Sequence, residues 1–114
     1  MIAQHAGLSR ERWLEFDFPR RILMIANELH RASKWTSQAD LERRRSSLER
    51  VLALVDLTIA VERHVPALKE LCRFRDCVAA SYIRADDAPS DRTLLRALLR
   101  FHPEAAAQIP FIAA

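Results

Sequence analysis

The sequence predicts an all-α fold, an antiparallel four-helix bundle, and three observations predict it. The chain has one glycine, Gly7, so tight glycine turns between strands lack the residue that builds them. Val, Ile and Thr form no alternating run, whereas Leu, Ala, Arg and Glu, which lose little rotamer freedom in a helix, fill the middle. Apolar residues recur at three- and four-residue steps in four stretches separated by breakers. These stretches predict helices at Pro19 to Lys34, Asp40 to Val61, Pro66 to Ile83 and Ser90 to Phe101.

Asp17 is placed to cap the first helix and Pro19 suits its first turn, where a missing amide costs nothing. Phe18, Ile22, Ile25, Leu29 and Ala32 make its apolar face. The polar segment Ser33 to Gln38 is the turn into the second helix, with Trp35 covering the end of the core. The second helix is central. It starts charged, with Asp40 as its expected cap, and ends almost wholly apolar, with Leu48, Val51, Leu52, Val55 and Ile59 on its core side.

Pro66 opens the third helix, whose expected apolar side is Leu68, Leu71, Cys72, Val78, Ala79 and Tyr82, with Arg75 on the same side. The run Ala85 to Ser90 is the clearest breaker, and Ser90 with Asp91 starts the fourth helix, which turns Leu94, Leu95, Leu98, Leu99 and Phe101 inward. Pro103 interrupts that helix. One domain over residues 1–114 is expected, with 1–12 a flexible lead-in and 103–114 a short tail whose Phe111 and Ile112 cap the core or dock on another subunit.

The net charge of +3 and a pI near 9.4 permit contact with nucleic acid or an acidic partner without requiring it. Cys72 and Cys77 lie five apart on one helix and point to different sides, so free thiols and a reducing, cytoplasmic setting are expected. The chain has no long uncharged apolar segment, so no membrane contact is expected.

Four scattered histidines, none at a metal-ligand spacing from another histidine or a cysteine, predict no metal site and no cofactor. Glycine-rich phosphate loops, paired carboxylates and nucleophile elbows are absent, which removes the common hydrolase and nucleotide-binding readings and leaves no catalytic residue. Asp56 interrupts the apolar run, but helix phase puts it on a polar strip with Ala53 and Ala60. That small-residue strip is the expected contact surface for another helix. Arg92, Arg96 and Arg100 recur every four residues, and three guanidinium groups on one face suit phosphates or an acidic partner; a merely solvated face is the alternative. The run Arg43, Arg44, Arg45 is a second basic feature.

Arg73 to Tyr82, RFRDCVAASY, resembles the signature of HEPN proteins, small helical bundles in which an arginine and a polar residue precede a histidine and often a tyrosine. Arg75 and Asp76 match the first pair and Tyr82 the tyrosine, while Ala80 occupies the histidine position. Family members that cleave RNA without metal use the arginine for phosphate charge and the histidine for proton transfer. A methyl group carries no proton, so the resemblance implies a non-catalytic relative whose Arg75 and Asp76 make a polar contact between helices or subunits. The alternative is a structural ion pair at the core edge. The overall form is also similar to the accessory bundles of bacterial retroelements, which oligomerise and bind nucleic acid with a reverse transcriptase; their closing glycine-glycine-tryptophan segment is missing, since this chain reads FHPEAAAQIP there. The expected function is therefore a non-enzymatic helical adaptor that binds itself or another protein, with a nucleic-acid-binding accessory as the alternative.

Overall fold

A computed structural model of the chain describes residues 9–113. Those residues contain no strand and fold into seven helices, four of them long. They are α1 (Arg10–Leu14), α2 (Phe18–Ser33), α3 (Leu41–Val61), α4 (Val65–Tyr82), α5 (Asp91–Leu99), α6 (Pro103–Ala106) and α7 (Ile109–Ile112), with a 3-10 turn at Gln38–Asp40. The all-α expectation holds. α2 packs on both α3 and α5, α3 packs on α4, and α5 meets α4 only lightly.

Local chemistry sets the helix starts. The Asp17 carboxylate accepts the Arg20 amide at 3.0 Å, and Ser90 Oγ accepts the Thr93 amide at 3.1 Å, each satisfying a donor that the first turn leaves open. Asp40 departs from its expected role. It occupies the cap position of α3 without capping it, because the 3-10 turn aims its carboxylate at Ser37 Oγ, 2.8 Å away, and at Arg43.

The core is the union of the apolar faces. Ile22, Ile25, Ala26, Leu29 and Ala32 of α2 meet Leu48, Val51 and Val55 of α3 and Leu94, Leu95, Leu98 and Leu99 of α5. Full burial of each Leu or Ile side chain contributes about 2 kcal/mol relative to exposure. α4 is rotated from the expected face: Leu71, Phe74, Val78 and Ser81 are buried, while Cys72 is exposed. Wedged between α3 and α5, α4 turns its Phe74 edge under α5, a tertiary demand that spacing alone does not reveal.

α4 ends on Arg84, whose φ of 60° is the left-handed conformation usually taken by glycine. The Ala85 amide reaches back to the Ala80 carbonyl at 2.9 Å and the Arg84 amide to that of Ser81 at 3.1 Å, closing the helix end. The fourth long helix stops at Leu99, short of the expected Phe101, and Pro103 opens the separate short helix α6. Within the tail, Ala105 and Ala113 are buried and Ile112 half-buried, whereas Phe111 is 78% exposed.

The expected lead-in over 1–12 lies partly outside the described residues, and within them it is corrected: Arg10 to Leu14 is helical. Ser9 caps α1 through the Arg12 amide at 3.2 Å, and Trp13 is completely buried. Its Nε1 donates to Thr58 Oγ1 at 3.0 Å, Thr58 in turn donates to the Leu54 carbonyl at 2.8 Å, and Arg21 Nε donates to the Trp13 carbonyl at 3.1 Å. A large ring whose one polar atom is satisfied holds this short helix in place.

Candidate interaction surface

Among the side-chain bridges that join α3 and α4, two engage the residues singled out in the sequence. Arg75 Nε donates to Asp56 Oδ1 at 2.5 Å, and the Tyr82 hydroxyl donates to Glu49 Oε2 at 2.7 Å. Arg75 titrates above its ordinary value, first because its hydrogen bond to Asp56 favours the cation, with burial opposing. Tyr82 also titrates above its ordinary value, because donating to the Glu49 carboxylate favours the neutral phenol. The structure thus joins two sequence expectations. Asp56 belongs to the helix-contact strip with Ala53 and Ala60, Arg75 and Tyr82 belong to the RFRDCVAASY segment, and all lie along one α3–α4 surface.

The partner of Arg75 is Asp56 on α3, whereas its sequence neighbour Asp76 is exposed and adds only a longer-range attraction. Ala80 is half-buried. Ala53 and Ala60 are half-buried on the side of α3 away from Val51 and Val55, on the same strip whose Asp56 and Glu49 bond to α4. Beside it Glu42, Arg45, Ser46, Glu49 and Tyr82 line a polar depression of about 330 Å³.

Sequence reasoning missed a side chain that joins four helix ends. Arg44 donates to both oxygens of Asp91, at 2.8 and 2.9 Å, to the Ala32 carbonyl at 3.1 Å and to Ser81 Oγ at 3.0 Å. One guanidinium therefore ties the end of α2, the start of α3, the end of α4 and the start of α5. Its hydrogen bonds to Asp91 hold it above its ordinary titration range, against the opposing effect of burial. The signal was present: Arg44 lies four residues before Leu48 and seven before Val51, on the core phase, but sat unremarked inside a run of three arginines. Arg43 stacks over Trp35, 5.1 Å from the ring centroid.

Arg92 and Arg100 are exposed on α5 and Arg96 is half-buried. Among the described residues none of the three lies in ion-pair range of a carboxylate, whereas Arg31, Arg43, Arg44, Arg50, Arg73 and Arg75 do. Toward Arg100, the seam between α4 and α5 opens into two depressions of about 420 and 270 Å³ that share Glu70, Ala97 and Phe101 and form one groove. Its floor is apolar, with Phe74, Leu94, Ala97 and Phe101, and Cys77 lines it. Arg100 and an Arg73–Glu70 pair at 2.6 Å stand on its rim.

Among the described residues no three His, Cys, Asp or Glu side chains are grouped to hold a metal, and no helix is long and apolar enough to cross a membrane. Both cysteines are free, Cys72 exposed and Cys77 half-buried. No family model, curated protein or solved structure matches this chain.

Proposed function

We propose that this chain is a non-enzymatic helical interaction module, cytoplasmic and self-associating, built on an antiparallel four-helix bundle of α2, α3, α4 and α5. The observation that carries the reading is the apolar groove along the α4–α5 seam, open beside a helix whose arginines have no carboxylate partner among the described residues. An apolar floor with a basic rim is the chemistry of a docking surface for a protein segment. The bundle reading draws support from the way α2 seats on α3 and α5 while α3 seats on α4. Two free thiols agree with a reducing compartment.

The non-enzymatic reading rests on the RFRDCVAASY segment. Arg75 and Tyr82 are each engaged by a carboxylate of α3, and Ala80 supplies no group for proton transfer. Taken as HEPN-like, the chain is then a non-catalytic relative. Sedimentation velocity over a concentration series tests the module: a shift from monomer to a larger species is expected, and a strictly monomeric chain overturns self-association. RNA cleavage without added metal, lost in Arg75→Ala, overturns the non-enzymatic reading.

A second reading follows from Arg92, Arg96 and Arg100, along α5 and its C-terminal cap, which have no carboxylate in ion-pair range among the described residues. They suit a phosphate backbone, as in a retroelement-like accessory protein. Binding of RNA or DNA that falls steeply with salt, and whose salt slope drops by about one for each arginine replaced by alanine, supports it. Salt-independent or absent binding removes it.

A further inference from the structure

We infer that the α4–α5 groove receives α7 of a second copy of this chain, with the Phe111 ring of each protomer seated over Ala97 and Phe101 of the other. The inference rests on the self-association reading and names its interface. α7 is built to present a knob. Ile112 packs against the core and Ala113 is buried, which anchors the helix, while the Phe111 ring between them and Pro110 is 78% exposed. Of the exposed large apolar side chains among the described residues, Phe111 is the most exposed, and its ring would gain from burying its 150 to 250 Å², roughly, against another apolar surface. The groove supplies such a surface, with Pro66, Ala67, Ala97 and Phe101 among its lining residues.

Charge selects the same occupant. Pro103 to Ala113 carries one carboxylate, Glu104, and neither lysine nor arginine. The groove rim carries Arg100, which has no carboxylate partner among the described residues, and α5 continues with Arg96 and Arg92. An apolar, faintly acidic segment therefore meets an apolar floor with a basic edge. We place the two copies about a two-fold axis, so that each knob enters the other's groove and the assembly closes at two copies, whereas a head-to-tail arrangement would leave a knob and a groove free and grow further.

The test reads oligomeric state and proximity separately. By sedimentation velocity the wild-type chain is expected to form a dimer, and Phe111→Ser and Ala97→Arg are each expected to shift it to monomer. Both residues are exposed, so circular dichroism and thermal melting should remain those of the wild type. In a chain carrying Cys72→Ser and Gln108→Cys, mild oxidation is expected to link the new thiol to the native Cys77 of the other copy. That yields a dimer on a non-reducing gel, and it should disappear when either Cys77→Ser or Phe111→Ser is added. A monomeric wild type overturns this inference together with self-association. A dimer that survives both Phe111→Ser and Ala97→Arg leaves self-association standing and overturns this interface, as does a ladder of species growing beyond two copies.

Discussion

The two flanks of α4 are held in different ways. Toward α3 the contact is cross-linked along its length, by Arg75 to Asp56, by Tyr82 to Glu49 and, at the end, by Arg44 to Ser81. Toward α5 the described residues include no side-chain hydrogen bond between the two helices, and the shared surface is apolar and opens into a groove. Directional bonds fix the register of one helix against another, whereas apolar contact fixes only proximity. The cross-linked flank is therefore held in fixed register, and the apolar one is the flank on which the proposed docking depends. Arg44 sits where the two flanks converge, since it grips α5 through Asp91 as well as α4 through Ser81.

Four substitutions would break or sharpen this contrast. The largest effect is expected from Arg44→Ala, which strands the Asp91 carboxylate and frees Ser81 and the Ala32 carbonyl. A loss of about 2 kcal/mol in denaturant-unfolding free energy is expected for breaking this partly buried, multiply hydrogen-bonded pair, and a loss under about 0.5 kcal/mol would show that the four helix ends do not depend on it. Tyr82→Phe removes one hydrogen bond to a carboxylate and should cost about 1 kcal/mol.

The Tyr82 replacement also has a pH signature. Because the folded phenol titrates above its ordinary 10.0, its contribution is whole below pH 10.0 and is lost as pH rises through the higher folded value. Melting temperature should thus fall more steeply above pH 10.0 in the wild type than in Tyr82→Phe. Parallel curves would sink the bridge.

Arg75→Ala should cost only about 0.5 kcal/mol, because Arg75 and Asp56 are 38% and 47% exposed and water screens them. Raising the salt concentration should shrink that difference further. The smallest effect has the opposite sign: Arg84→Gly should stabilise by about 0.3 kcal/mol, the relief of a left-handed backbone offset by a more flexible unfolded chain. A loss instead would mean that the Arg84 side chain makes a contribution of its own.

Much of the fold was legible because it rests on short-range chemistry. The caps Asp17 and Ser90, the break at Pro103 and the inward leucines of α5 all follow from a few neighbouring residues. What escaped depends on partners far along the chain. Five residues of α1 are too few to show a period, so nothing local announced that Trp13 would pack against α3. The buried face of α4 was misjudged by the turn that brings Phe74 under α5. Among the candidate residues, Asp56, Arg75 and Tyr82 were each noticed, but their pairing across two helices needed the geometry between them, as did the separation of Arg75 from Asp76.

The bond from Trp13 to Thr58 spans 45 residues, which gives the fold a sense of time. A chain made from its N-terminus exposes Trp13 long before Thr58 exists to receive its indole, and the cost of closing so long a loop has to be met by contacts already formed. α1 thus has its partner only once α3 has been made, and its place in the fold depends on residues far behind it in the chain.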